Sequence, residues 1–131
     1  MRKIIYTIVC LGLIGGGIGF YLFNKPLESI KSMKTQFEVS SDDLLESFED
    51  DEESANQKYL DKVIQVTGVV SKTETENDKM SIYLNTSNDL SNIIFQLEKE
   101  DASIKKGQEV TLKGICTGYL MDVVLVRSVK V

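Results

Sequence analysis

The stretch KVIQVTGVVSK, residues 62–72, is dominated by β-branched side chains and is interrupted once, by Gly68. Valine, isoleucine and threonine favour extended backbone because their branched side chains pack well on a pleated surface. A single glycine inside such a run is typical of a bulge in a strand that must bend. We therefore expect a bent strand at residues 62–72.

Four further strands follow on the C-terminal side. The polar run TETENDK, residues 73–79, is expected to be a loop, and EDASIKKGQ, residues 100–108, a short connection with helical character. Between and after these runs the apolar side chains alternate or cluster as they do in strands. The predicted strands are MSIYLN (80–85), NIIFQLE (92–98), EVTLKGICTG (109–118) and DVVLVRSVKV (122–131).

A helix is expected on the N-terminal side of the bent strand. Ser40 followed by Asp43 forms a capping pattern, and acidic residues suit the first turn of a helix. The apolar side chains that recur at helical spacing are Leu44, Leu45, Phe48, Ala55 and Tyr59. The acids at 49–53 lack the alternating oxygens and turn glycine of a calcium loop, so we interpret them as a solvated helix face and predict no metal site.

The order of elements predicts a fold that is mainly β. A helix, three strands, a short link and two more strands, with the first strand bent, match the five-stranded OB-fold barrel. Gly118 and Asp122 mark the turn between the last two strands. Cys116 is in phase with Val110 and Leu112, so we expect it to face the core as a small hydrophobe.

Two stretches also resemble a known family. ANQKYLDKVIQVTGVV (55–70) and KKGQEVTLKGICTGYLMDVVLV (105–126), with their Lys-Gly-x-x-Val-Thr-x-Lys-Gly-x-Cys-x-Gly run, are similar to the tRNA_anti-like OB-fold proteins. These are small bacterial proteins that are often membrane- or lipid-anchored. The resemblance covers about residues 43–131 and implies an OB-fold more firmly than a ligand. Asp51-Glu52 stands where the family often has Asn-Glu, which makes the helix more acidic.

The N-terminal segment predicts a membrane anchor. Residues 4–23 carry no charge, and twenty helical residues span about 30 Å, the thickness of the bilayer hydrocarbon. We therefore divide the chain into an anchor (1–23), a polar tether (24–39) and a helix plus OB-fold barrel (40–131). A short tail before a first hydrophobic segment usually stays in the cytoplasm, so the domain is expected outside it. The spacings Gly12/Gly16 and Gly15/Gly19 allow close helix packing, although glycine is common in membrane helices.

Charge and composition exclude several functions. The net charge is +4 over residues 1–34, −9 over 35–57 and zero over 58–131, which gives −5 in total. No part of the predicted barrel is strongly basic, so nucleic acid is not the expected partner. The sequence has no histidine, which removes histidine-activated nucleophiles and imidazole zinc sites. We predict no enzymatic activity and no cofactor.

Candidate binding residues follow from the predicted fold. OB-folds bind ligands over strands two and three and through the loops after strands one and four. The side chains predicted at that surface are Tyr83, Tyr119, Leu120 and Met121. The expected function is a membrane-anchored, non-enzymatic module that binds a protein or small ligand at the cell envelope. The alternative is a single-stranded nucleic-acid or tRNA binder, for which Tyr83 and Tyr119 are the stacking candidates.

Overall fold

The computed structural model describes residues 1–26 and 28–131. Within these two ranges, three helices and six strands follow one another. They are α1 (Arg2–Asn24), β1 (Phe37–Ser40), α2 (Ser41–Asp50), α3 (Glu52–Tyr59), β2 (Val63–Glu76), β3 (Lys79–Leu84), β4 (Ile93–Leu97), β5 (Glu109–Leu120) and β6 (Asp122–Lys130). Of the helices in these two ranges, α1 alone is long and apolar enough to cross a membrane, and all its residues are exposed.

Five of the strands close into a barrel. Their order around it is β2-β3-β4-β6-β5, and β5 returns to pair with β2. All pairs are antiparallel except β4 with β6, which run parallel. The predicted OB-fold is confirmed, with β2 to β6 as its five strands. β1 adds a parallel strand along the first half of β2.

Strand β2 closes the barrel because it changes partner halfway. Residues Val63–Val69 pair with β5, whereas the strand from Val70 onward pairs with β3. The bulge that accompanies this change lies between Val70 and Lys72, beyond the predicted position at Gly68. Gly68 instead lies where the first turn of α2 meets the sheet. A side chain built there would come within 2.7 Å of the Ser41 hydroxyl.

Several boundaries differ from the sequence prediction. Most of the predicted loop 73–79 is strand, because the turn needs only Asn77 and Asp78, both in the left-handed conformation (φ 52° and 65°) that suits a two-residue hairpin. The link 100–108 forms turns and no helix. The structure has two helices, α2 and α3, where the sequence predicted one. The helix is interrupted because Asp51 is extended, and its carboxylate caps α3 by accepting from the Ser54 amide at 3.2 Å.

The predicted tether carries structure that the sequence did not reveal. Its last residues form most of β1, and Ile30 is buried. Arg127 donates to the Glu28 carbonyl at 2.7 Å, and Lys113 donates to the Met33 carbonyl. Residues 28–40 are therefore held against the barrel over much of their length. The division of the chain at residues 23 and 39 stays a prediction.

One continuous core joins the barrel to α2 and α3. All five apolar side chains predicted for the helix face, Leu44, Leu45, Phe48, Ala55 and Tyr59, are buried in it. Cys116 is fully buried in the same cluster, as expected from its phase in β5. The residues 41–59 that form α2 and α3 are called the helical cap below, because they cover the end of the barrel at which β3 ends and β6 begins.

Replacing Gly68 by alanine is expected to destabilise the domain by about 1–3 kcal/mol, because the added methyl group has to displace Ser41 and the tip of Leu84. Urea unfolding of the full chain in detergent micelles, followed by tyrosine fluorescence, measures the change. Thr75→Ala, at an exposed position of the same strand, is the matched control and should change stability by less than about 1 kcal/mol. Equal stability of the two variants would show that α2 does not need the close approach at Gly68.

Candidate ligand-binding surface

A row of outward side chains crosses the barrel surface. The strand register places Lys72 opposite Tyr83, Tyr83 opposite Ile94, and Ile94 opposite Val124. Neighbours on paired strands share one face, so these four side chains lie side by side on the outside. This is the outer face of the second and third barrel strands, where OB-folds bind ligands, extended onto β6.

Tyr83 lies within a small charged cluster. Its hydroxyl donates to a Glu74 carboxylate oxygen at 2.8 Å, and the Lys72 ammonium, ion-paired with Glu74, lies 5.0 Å from its ring centroid. The hydrogen bond to Glu74, followed by partial burial, raises the pKa of the Tyr83 phenol. Bonds from Lys72 and Tyr83 lower the pKa of the Glu74 carboxyl. The predicted stacking residue therefore has a cation over its ring and a carboxylate at its hydroxyl.

Tyr119 makes a structural contact with the helical cap. Its ring stacks on Phe48 of α2, with centroids 5.8 Å apart and planes 30° apart, and Phe48 also contacts Tyr59 at 6.0 Å. Phe37 of β1 meets Tyr59 edge-on at 5.2 Å. Tyr119 thus joins the helical cap to the β5–β6 hairpin, and only part of its ring reaches solvent.

Leu120 and Met121 form the hairpin tip. Leu120 is 92% exposed and Met121 is 69% exposed. Met121, rather than Gly118, is the turn residue, and it adopts a left-handed φ of 79°. Gly118 lies at a bulge three residues earlier, where its own φ is 118°. The loop 85–92 lies beside this hairpin, because the Asn92 amide donates to the Asp122 carboxylate at 2.7 Å.

An open groove of about 410 Å³ lies between α3 and the β5–β6 hairpin. We call it the hairpin groove. Its apolar lining comes from Leu60, Ile94, Tyr119, Leu120 and Val124, and its polar lining from Glu52, Asn56, Thr117 and Asp122, with Gly118 contributing backbone. The charged side chains among these residues are both acidic.

The structure brings together two of the four predicted site residues. Tyr119 and Leu120 both line the hairpin groove, whereas Met121 follows them at the exposed hairpin tip and is not part of the lining. Tyr83 stands one strand away from the groove, next to Ile94 in the outer row. Leu60, Ile94 and Val124 were not predicted. The phase of Ile94 and Val124 in their strands could have identified both as outward-facing. Only the strand register shows that the two side chains are neighbours.

Cys116 lies beneath this surface and is not part of it. Burial raises the pKa of its thiol above the ordinary value. A buried thiol that stays protonated at neutral pH is a poor nucleophile. Within residues 1–26 and 28–131, no group of three or more cysteine, aspartate or glutamate side chains is arranged to hold a metal ion.

Comparison with solved structures agrees with the architecture. A Klebsiella pneumoniae lipoprotein that is provisionally described as nucleic acid-binding matches over 82% of this chain and 99% of its own, with a TM-score of 0.57 and 15% identity. At that identity the likeness concerns the fold alone.

Two further solved structures are less similar to this chain. The Stn1-ten1 complex of S. pombe matches 53% of this chain and 57% of its own, at 14% identity and a TM-score of 0.41. A protein from Leishmania major, provisionally described as an aspartyl-tRNA synthetase, matches 91% of this chain and 26% of its own, at 11% identity and a TM-score of 0.39.

No curated protein sequence matches this chain. The profile of the tRNA_anti-like family, by contrast, matches residues 1–130, which is nearly the whole length. The match includes the N-terminal helix as well as the barrel. Together with the closed five-stranded barrel, it identifies the chain as a member of the tRNA_anti-like family.

Proposed function

We propose that this chain is a membrane-anchored, non-enzymatic OB-fold module that binds a protein or small ligand at the cell envelope, outside the cytoplasm. The binding surface is the hairpin groove together with the hairpin tip. The observation that carries the proposal is the groove itself. It is apolar along its floor, open to solvent, and placed beside the loop after the fourth barrel strand, where OB-folds receive ligands.

The anchor is helix α1. Its 23 residues correspond to about 35 Å at 1.5 Å per residue, enough to cross the hydrocarbon core of a bilayer. All its side chains are exposed when residues 1–26 and 28–131 are considered together, so its apolar surface needs another environment. The structural neighbour from Klebsiella pneumoniae is described as a lipoprotein, which supports a place at a membrane for this chain too.

The proposal that the chain is not an enzyme is supported by the burial of Cys116, the thiol in the barrel. Cys116 is buried among apolar side chains with a raised pKa, and the sequence contains no histidine to activate it. The side chains that line the hairpin groove offer two carboxylates, an amide and the hydroxyl of Thr117, which donates to the Val124 carbonyl at 2.8 Å. These groups are suited to orienting a ligand.

A second candidate function is single-stranded nucleic-acid binding. It is favoured by Lys72 and Tyr83, which place a cation and an aromatic ring on the outer barrel face, and by the description of the Klebsiella neighbour. Electrostatics favour the first function. Lys72 is neutralised by Glu74, and the groove presents Glu52 and Asp122, which repel a phosphate backbone.

Topology labelling separates the two functions. Glu76→Cys introduces an exposed thiol at the end of β2, in a background in which Cys10 and Cys116 are alanine. A membrane-impermeant thiol reagent is expected to label this variant in intact cells, because the barrel lies outside. The cysteine-free background is the control and should stay unlabelled. Labelling that requires cell lysis would place the barrel in the cytoplasm and contradict the proposed localisation.

Binding of a fluorescent oligo-deoxythymidine of about 20 nucleotides tests the second function directly. The full chain in detergent micelles is expected to give no detectable binding at about 50 mM salt, since the candidate surface has no net positive charge. Tight binding that weakens steeply with salt and is lost in Tyr83→Ala would instead establish the nucleic-acid function. An affinity that Tyr83→Ala leaves unchanged would place the nucleic-acid site on another surface of the protein.

A further inference from the structure

We propose that the hairpin groove receives a basic segment of a partner protein, in which an apolar side chain is flanked by lysine or arginine. This rests on the proposed function, because it names the chemistry of the partner that the module binds. The shape of the groove, the acidic side chains beside it and the position of the hairpin tip on the barrel support this occupant.

The groove and its surroundings offer apolar surface in two places. Leu60, Ile94 and Val124 line the cavity, and its volume of about 410 Å³ accommodates one or two large side chains. Outside the cavity, Leu120 and Met121 continue the apolar surface into solvent. An occupant that fills the groove and also covers the hairpin tip is longer than a small metabolite, which favours a chain segment.

Among the described residues, the charged side chains that line the groove are Glu52 and Asp122, and the helices beside it are acidic as well. Residues 41–61, which contain the helical cap, hold nine acidic side chains and one basic side chain, Lys58. The ion pairs found in the described ranges, Lys72–Glu74 and Arg127–Glu98, do not involve the cap. Lys58 lies 5.4 Å and 5.0 Å from the ring centroids of Phe37 and Tyr59, so its ammonium is held over aromatic rings.

Only some of the acidic side chains of residues 41–61 accept hydrogen bonds that stabilise the fold. Asp42 accepts from the Ser87 amide, Glu49 from the Asn88 side chain and Asp51 from Ser54. Each of these bonds fixes a loop or a helix end. Glu52 makes no such contact with the described residues and lines the groove. A cationic segment would therefore meet a carboxylate that is free to bind it, and a phosphate or carboxylate ligand would be repelled.

The hairpin tip lies far along β6 from the point at which the segment after α1 is bound to the barrel. Glu28 is bound to Arg127, and at most about 14 Å of extended chain separates Glu28 from the end of α1 at Asn24. Strand β6 runs from Asp122 to Lys130, so the hairpin tip and Arg127 are separated by about 20 Å of strand. The tip therefore lies at the end of β6 remote from the anchor, which favours a protein partner over the bilayer surface as its occupant.

Peptide binding to the full chain in phosphatidylcholine nanodiscs tests the proposal, because this lipid has no net charge and does not attract basic peptides. The first probe is a fluorescent peptide of about eight residues with Leu-Phe between pairs of lysine. In the second probe serine replaces Leu-Phe, and in the third glutamate replaces lysine. The first probe is expected to bind at least about tenfold more tightly than either of the others, and more weakly as salt rises.

Three variants locate the binding. Glu52→Gln is expected to weaken the first probe by about threefold and Leu120→Ser by about tenfold, since one removes a rim charge and the other an apolar contact. Glu46→Gln is the matched control, because it removes the same charge from an exposed position of α2 outside the groove lining. It should change the affinity by less than about twofold.

The inference is overturned if no probe binds, if the glutamate probe binds as well as the lysine probe, or if Glu52→Gln and Leu120→Ser leave the affinity unchanged. A photo-crosslinking residue at position 120 in living cells then reports on the proposed function separately. A discrete protein adduct combined with a negative peptide result would leave the binding module in place and reject the basic partner. Absence of adducts as well would reject a protein partner altogether and confine the proposed function to a small ligand.

Discussion

The aromatic contact between Phe48 and Tyr119 is the interaction on which the candidate site depends. It stacks a side chain of α2 on the strand that leads to the hairpin, at 5.8 Å, and Tyr59 of α3 extends the same cluster. Offset aromatic pairs of this kind contribute about 0.5–1.5 kcal/mol beyond their burial. Because both helices are fixed to the barrel here, one wall of the hairpin groove is helix and the other is hairpin.

The helical cap in turn determines the charge of the site. Its buried side carries apolar residues into the barrel core, and its solvent side carries a dense set of carboxylates. At the other end of β6, Arg127 and Lys113 bind carbonyl groups of the segment that leads from the apolar helix. The barrel thereby lies between the segment that follows the apolar helix on one side and an acidic, partly apolar surface on the other. This arrangement is what the proposed basic partner requires.

Much of the fold could be predicted because its signals are local. The alternation of apolar side chains identified the five barrel strands, and the capping residue Ser40, which accepts from the Asp43 amide at 3.1 Å, identified the start of α2. The extension of β2 to Glu76 was missed because its exposed half is polar on both faces. The break at Asp51 was missed because acidic residues suit both a helix surface and a helix cap. The groove could not be predicted, since Ile94 and Val124 meet only through the register of β4 with β6.

The orientation of the barrel on its anchor is the central claim, because it decides whether a partner can reach the groove. Spin labels at Met121→Cys and at Lys130→Cys, in the full chain without its native cysteines, measure it by electron paramagnetic resonance in nanodiscs. The label at 121 is expected to collide freely with a water-soluble nickel complex. The label at 130 is expected to lie closer to the lipid headgroups and to be more protected from that complex. A label at 121 that collides mainly with oxygen dissolved in the lipid would contradict the account, since the hairpin tip would then be a membrane contact.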